Sequence, residues 1–594
     1  MELTDMHHPG LLKQLEHDGL ERLAQQIRDF LIRQLAETGG HLGSNLGAVE
    51  LSIALHYAFD SPEDQLVWDV GHQTYTHKLL TGRAKHFPGL RKYQGLSGYL
   101  RRSENAHDIW EAGHSSTSVS AALGLAAARD IKGGRQHIAA VIGDGALTGG
   151  MVFEALNNLG DLQKHMVIVL NDNGMSISPN VGALQRVLDE AKEAGRTDSV
   201  SGFFHALGIQ YQGPVDGHSI PALVAAFELA KTAKGPVLVH VQTAKGKGYL
   251  PAERDAASHL HGVEPFDIET GPVKNEHKSE KSWSELVGST LCRLAEENPD
   301  VAVLTPAMIL GSRLETFAER FPERLFDTGI AEQHTVTMAA GMAVNGIKPV
   351  VSIYSTFLQR GYDQVLHDVC RQNLNVVFMI DRSGFAGADG DTHHGLFDLS
   401  FLRALPNLVI MMPYSLEECD AMVQLALECD SPVALRYPRG NAKRESEMID
   451  ELPEIKRAPL IPGVWQTIAE GNDLAILTFG PLVETALAAR ARLVKQGISA
   501  EVVNARFIKP LDTALLDDLL RRQMPLLTVE EGMLASGFGS AVLEFIEESG
   551  MPFPKIKRLG VKDRFIQQGG IDELREETGL AALDIVAAAQ HIID

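Results

Sequence analysis

The sequence predicts three consecutive α/β domains with mostly parallel sheets, and three observations carry that expectation. Short apolar runs such as HIAAVI, HMVIVL, VAVLTP, KPVVSIY, NVVFMID and DLAILTFG alternate with helical patterns along the chain. Several of these runs end on polar residues beside glycine, as parallel strands do where they present ligand-binding groups at their carboxyl ends. Two polar, charged stretches, Pro272 to Ser282 and Gly440 to Pro459, interrupt the alternation and divide the 594 residues into 1–275, 276–450 and 451–594.

The first 40 residues read as helices, with Leu20 to Ala36 strongly amphipathic and a stop at Gly39-Gly40. A glycine-rich turn carrying His41 then feeds a helix in HLGSNLGAVELSIALHYAF. In LVWDVGHQTYTHKLL a short strand, Leu66 to Val70, leads to Gly71-His72, and Gly113-His114-Ser115 precedes a helix of small residues. His41, His72 and His114 each stand between a glycine-rich or extended segment and a helix, so they are expected to cluster over a ligand. Imidazoles suit that place because they donate to phosphate or exchange protons near neutral pH.

The chain is organised around Val141 to Met175. A strand (His137 to Ile142) breaks at Gly143-Asp144-Gly145, a helix follows from about Gly149 to Leu159, and a second strand (His165 to Leu170) ends at Asn171-Asp172-Asn173. Asp144 and Asn173 thus fall at the ends of adjacent strands. A carboxylate and an amide oxygen there can share one hard cation whose shell is completed by phosphate oxygens, the incomplete protein cage that Mg²⁺ favours. Beyond it come a polar helix from Ala183 to Gly195, a helix from Ile220 to Lys231, and a strand, PVLVHVQ, with Lys245 and Tyr249 past its end.

The second domain opens on a helix from Trp283 to Glu297 and then alternates strands with helices. Its most informative piece is FDTGIAEQHTVTMAAGMAVNG, in which Glu332 stands where a loop enters an apolar helix. In the third, DLAILTFG, AEVVNARFIKPLD, PLLTVEEG and IKRLGV read as strands, without a comparable set of titratable groups at their ends; a structural or dimerising role is expected.

Composition narrows the function. With 44% hydrophobic residues the chain can bury several cores, and no apolar run reaches the roughly 18 residues of a membrane span. The acidic, amphipathic amino terminus is neither a secretory nor a transit signal, and four scattered cysteines form no disulfide framework or zinc spacing, so a cytoplasmic protein is expected. A net charge of −23 argues against nucleic acid as a partner. An anionic small substrate then needs locally placed arginines and lysines.

The Asp144–Asn173 pair resembles the diphosphate-binding motif of thiamine diphosphate enzymes, which implies Mg²⁺ on Asp144, Asn173 and the carbonyl of Met175. The wider resemblance is to the 1-deoxy-D-xylulose-5-phosphate synthases, a transketolase-like thiamine diphosphate family. GGHLGSNLG, WDVGHQTYTHKLLTGR, GHSSTSVSAALG, VIGDGALTGGM, LNDNGMSIS, GPVDGH, KGKGY, TGIAEQHTVTMAAGMA, STFLQRGYDQ, DRSGFAGADGDTHHGLFD and RYPRGNA carry it, in family order across most of 39–441. Two departures stand out: Gly174 where the family commonly has Glu, and a segment, Gln185 to Gln212, shorter than the family's.

The resemblance implies a transketolase-like fold with a diphosphate- and Mg²⁺-binding first domain, a pyrimidine-binding second and a transketolase-like third. It implies a homodimer with its site between the first two domains of one subunit. It also implies that pyruvate is decarboxylated and its two-carbon unit added to D-glyceraldehyde 3-phosphate, for isoprenoid, thiamine and pyridoxal synthesis. Glu332 matches the residue that protonates the cofactor's pyrimidine, and Phe357 the one that stacks on it; His72, Gly113, His114, Ser115, Gly145, Ala146 and Tyr249 match further cofactor contacts. His41, His261, Lys245, Asp389 and His393 match the wall around the reacting carbon, and Tyr354, Arg360, Arg382 and Arg439 the end that takes the aldehyde phosphate. A transketolase, a catalytically dead homologue and a nucleotide-binding Rossmann enzyme are the alternatives. Glu332 with the Asp144–Asn173 pair speaks against the second, and the absence of a GxGxxG opening a βαβ unit against the third.

Overall fold

The computed structural model describes residues 3–194, 196–272, 281–448 and 457–593. The expected boundaries at 275/276 and 450/451 and much of both linkers lie outside the described residues, as does Gly195. The chain forms two compact units, 1–276 with 329–331 and 277–328 with 332–594. Three sheets, parallel but for two strands, run through them.

In the first unit, β1 (Gln65–Trp68), β2 (Ile138–Gly143), β3 (Val167–Asp172), β4 (Gln210–Asp216) and β5 (Val237–Gln242) form one sheet in the order β1-β2-β3-β5-β4. Every pairing is parallel. Such sheets are covered on both faces, which is why β2 and β3 read as continuous apolar runs rather than alternating ones. The alternate residues of β2 divide accordingly: Ala139 and Val141 join one core with Ile27 and Phe227, while Ile138, Ala140 and Ile142 join the other with Leu156 and Phe204. The helices His17–Thr38, Gly150–Leu162, Ala183–Ala194 and Ile220–Lys231 lie where the periodicity predicts them.

In the second unit, β6 (Val301–Thr305), β7 (Leu325–Asp327), β8 (Lys348–Tyr354), β9 (Val377–Asp381), β10 (Val409–Met411) and β11 (Val433–Arg436) make the middle sheet. The last sheet holds β12 (Gln466–Ala469), β13 (Leu474–Thr478), β14 (Ala500–Asn504), β16 (Leu526–Met533) and β17 (Ile556–Val561) in the order β12-β14-β13-β16-β17, with β12 antiparallel. The run AEVVNARFIKPLD, expected as one strand, is two. β14 stays in its own sheet, and β15 (Phe507–Lys509) pairs antiparallel with β10, giving the middle sheet the order β15-β10-β11-β9-β8-β6-β7. Between them the guanidinium of Arg506 is drawn inward by the carbonyls of Val464 and Pro459, at 3.0 and 2.7 Å, and by Glu418 at 3.4 Å.

The helix Trp283–Glu297 starts on a capping box in which Ser282 and Glu285 satisfy each other's backbone N–H groups. Among the described residues no helix is long and apolar enough to cross a membrane.

Candidate active site

In the first unit the polar residues gather at the carboxyl ends of β1, β2, β3 and β5. Asp144 begins the short helix Asp144–Leu147 directly after β2, and Asn173 follows β3. Asp144 is buried; its Oδ2 accepts the N–H of Gly174 at 2.6 Å, and its Oδ1 has no hydrogen-bond partner. Burial and the neighbouring carboxylate of Asp172 hold the Asp144 carboxyl well above the usual range. Asp172 itself stays low despite burial, because His240 donates to it at 2.8 Å and Lys192 pairs with it. Gly145 permits a close approach here: a Cβ would stand 2.9 Å from that of Ser176. The orphaned carboxylate oxygen of Asp144, on a side chain bonded to the residue after Asn173, fits a hard cation. No three His, Cys, Asp or Glu side chains gather to hold a metal among the described residues, so such a cation depends on amide, carbonyl and ligand oxygens as well.

His41 and His72 come together as expected, with His261 as the third ring: centroids are 5.8 Å apart for His41 and His72, 5.6 Å for His41 and His261, and 5.2 Å for His72 and His261. His114 stands half-buried on the turn before the helix Ser118–Ile131. Burial, with Lys245 nearby, pushes the His72 imidazole down to about 3, so it is neutral at working pH. Lys245, past β5, donates from Nζ to the carbonyl of Ser176 at 2.7 Å, and burial brings its ammonium down to about 7. Tyr249 gives its hydroxyl to the carbonyl of Ile268 at 2.9 Å.

Supports unforeseen from sequence hold these turns. Asp69, after β1, accepts the N–H groups of Ser116 at 2.7 Å and Ser118 at 3.0 Å, and Ser116 Oγ donates to the carbonyl of Ala146 at 2.7 Å, tying the GHSS turn to the GDGA turn. Asn45 bonds the carbonyls of His41 and His72, both at 2.7 Å, and Tyr75 packs beside His41. A carboxylate two residues before Gly71 in WDVGH was the available signal for Asp69; nothing local marks Asn45 or Tyr75.

In the second unit Glu332 opens the helix Glu332–Val344 and is buried. Burial raises its carboxyl, against the pull of Arg360, whose Nη1 is 3.7 Å from Oε2. Tyr354, ending β8, and Phe357, one turn on, stack at 5.4 Å with ring planes 15° apart, and the edge of the His393 ring meets Phe357 at 5.7 Å. Arg382, past β9, lies 4.1 Å over the Tyr354 ring. Arg382 and Arg439, past β11, both reach Oδ2 of Asp389, at 3.4 and 3.1 Å. Tyr354, Phe357 and His393 thus form one group, and Arg382, Asp389 and Arg439 another beside Tyr354, while Arg360 is at Glu332.

Known proteins match this chain along its whole length. The family model of 1-deoxy-D-xylulose-5-phosphate synthase matches residues 3–202 and 189–243, two pieces that overlap within the segment read as shortened. The transketolase pyrimidine-binding domain matches 279–444 and the transketolase C-terminal domain 463–585. The 1-deoxy-D-xylulose-5-phosphate synthase of Geobacillus sp. (strain WCH70) is 52% identical over 629 residues, covering 100% of this chain and 99% of that protein. That of Bacillus velezensis is 50% identical over 622 residues, covering 99% and 97%. Among solved structures, a split-gene transketolase in an inactive β4 tetramer is 32% identical, covers 52% of this chain and 98% of its own, and has a TM-score of 0.47.

The sheets and the domain matches together define an α/β enzyme of the thiamine diphosphate-dependent, transketolase-like class, a transferase. Within that class, the chain belongs to the 1-deoxy-D-xylulose-5-phosphate synthase family.

Proposed function

We propose that this chain decarboxylates pyruvate and joins the remaining two-carbon unit to D-glyceraldehyde 3-phosphate, forming 1-deoxy-D-xylulose 5-phosphate and CO₂, with Mg²⁺ and thiamine diphosphate bound. The observation that carries the reading is Glu332: a carboxyl buried at the head of an apolar helix and raised by that burial, within the region that matches a pyrimidine-binding domain. Thiamine diphosphate, when bound, supplies the carbon nucleophile and the electron sink that decarboxylation needs. Glu332 holds a proton for the pyrimidine nitrogen, and Phe357 offers a flat face for the ring. Asp144, Asn173 and the Met175 carbonyl would hold Mg²⁺, and Gly113, His114, Ser115, Gly145, Ala146, His72 and Tyr249 would contact the cofactor. A cation bound there would offset the crowding of the Asp144 and Asp172 carboxylates.

His41, His261, His393, Lys245 and Asp389 form the wall around the reacting carbon, where protons are moved and the pyruvate carboxylate is steered, with Lys245 as the cation and Asp389 held by Arg382 and Arg439. Arg382 and Arg439, with Tyr354, take the acceptor's phosphate, for which paired guanidinium donors are suited; Arg360 is the third cation proposed for that end, and it also stands 3.7 Å from Glu332. The proposed division is 1–275, 276–450 and 451–594, with a cytoplasmic homodimer as the working form. An assay of CO₂ release tests the whole reading. Release is expected to depend on pyruvate, thiamine diphosphate and Mg²⁺ and to rise steeply on adding glyceraldehyde 3-phosphate. Ketol transfer from a sugar phosphate without CO₂ would indicate a transketolase instead.

A further inference from the structure

Behind the arginines of the second unit lies a buried charge knot. Asp398 opens the helix Asp398–Leu402, and its side chain and that of Arg436, on β11, are both shut off from solvent. Arg436 grips it with two donors, Nε to Oδ2 at 3.0 Å and Nη2 to Oδ1 at 2.9 Å. Ser355 and Ser383 each donate a hydroxyl to Oδ2 at 3.0 Å, and the N–H of Leu399 reaches Oδ1 at 2.7 Å.

A buried ion pair is weak evidence for stability, since apolar side chains of similar volume often do as well. Its connections are more telling. Ser355 follows Tyr354 and begins the turn to Phe357 and Arg360, Ser383 follows Arg382, and Arg436 precedes Arg439 by three residues. One carboxylate therefore tethers the ends of β8, β9 and β11, and each arginine assigned to the acceptor's phosphate hangs from one of the three tethers.

We infer that Asp398 is a positioning residue for acceptor recognition: it holds three strand ends in the register that lets Arg382 and Arg439 close on a single phosphate dianion. The inference rests on the acceptor site proposed above. Guanidinium recognition is directional, and a shift of about 1 Å costs the paired hydrogen bonds without unfolding anything. Arg382 has little tolerance for such a shift. Its φ is 57°, a conformation that a non-glycine residue keeps only when its surroundings enforce it, and the adjacent Ser383 provides one of the bonds that do so.

Removing Asp398 alone would strand a buried guanidinium and risks unfolding, so the test uses S383A and the charge-free pair D398N/R436M, each checked for thermal stability. Kinetics are measured with glyceraldehyde 3-phosphate and with unphosphorylated glyceraldehyde. S383A is expected to raise KM for the phosphorylated acceptor about tenfold, the scale of one charge-assisted hydrogen bond. KM for pyruvate and the kinetics with the unphosphorylated aldehyde should stay put. In an R382A background, S383A should add nothing, because the side chain it aims is gone. Folded S383A and D398N/R436M proteins with KM within about twofold of the parent, equal losses on both acceptors, or full additivity with R382A would overturn the inference. Should R382A itself leave KM for the phosphorylated acceptor unchanged, the acceptor reading fails and the inference falls with it; the two failures are thus told apart.

Discussion

Arg360 Nη1 stands 3.7 Å from Oε2 of Glu332, so the carboxyl proposed to protonate the cofactor is governed by two opposed forces, burial raising its affinity for a proton and a cation lowering it. Replacing Arg360 by Leu removes the cation that opposes burial. The descending limb of the kcat–pH profile, where Glu332 loses its proton, should then move to higher pH. Profiles of the R360L and parent enzymes check this, and coincident limbs would separate Arg360 from Glu332.

Glu332→Ala should leave a folded protein that still binds the diphosphate end of the cofactor, with the loss falling on kcat. Exchange of the thiazolium C2 proton measures the step directly; exchange at the parent rate would remove Glu332 from it.

Asp144→Asn should separate stability from binding. Without cofactor the variant is expected to be at least as stable as the parent, since it removes a buried carboxyl crowded against Asp172. With Mg²⁺ and thiamine diphosphate its affinity should fall by more than about 100-fold, beyond what losing an outer-shell partner usually costs. Calorimetry and the cofactor-induced rise in Tm read both effects.

Arg382→Ala and Arg439→Ala each remove charge-assisted hydrogen bonds worth roughly 1.5–3 kcal/mol, or about 10- to 150-fold in apparent affinity for the phosphorylated aldehyde. Pyruvate kinetics should change little. If unphosphorylated glyceraldehyde suffers equally, these side chains are not phosphate ligands.

Acid should weaken the first unit at a buried histidine cluster. His56 Nε2 meets His77 Nδ1 at 2.9 Å, His77 Nε2 meets Asp108 Oδ1 at 3.0 Å, and Arg83 pairs with Asp108 at 2.6 Å. Burial holds His56 and His77 below the usual imidazole range and brings neighbouring His107 down to about 4. With folded values depressed, the unfolded chain binds more protons below about pH 6.5, so stability present above that pH is lost as pH falls toward 4. The slope of Tm against pH over that window should flatten in H107N; parallel slopes would exclude His107 as a contributor.

The central strands of both units were legible because buried parallel strands are written as unbroken apolar runs, and β2 and β3 ended within two residues of their Gly and Asn punctuation; the edge strands β4, β7 and β12, short or half-exposed, carry no such run. The polar strand ends were legible for the same reason. What local pattern could not carry was partnership across the chain. Of the three histidine contexts read as one cluster, the ring contacts join His41 and His72, with His261, which only the family resemblance had set beside His41; nothing near Arg382 or Arg439 marks Asp389 as their shared carboxylate. Arg360 stands six residues past the end of β8, where Arg382 and Arg439 stand one and three past theirs, and its approach to Glu332 at 3.7 Å could not be read from that spacing. The single-strand reading of AEVVNARFIKPLD failed for a related reason: the partners that bend Arg506 inward lie more than 40 residues away.

β15 contributes three residues, Phe507–Lys509, to the outer edge of a sheet otherwise built from 301–436. Its loan has a consequence for how the protein is made and how it fails. An emerging chain cannot finish the middle sheet until the last part of its sequence has been synthesised, and until then β10 presents an unpaired row of backbone donors and acceptors. Truncating the chain ahead of β15 would leave that row permanently open to aggregation, so the last two regions are expected to mature, melt and be inherited together.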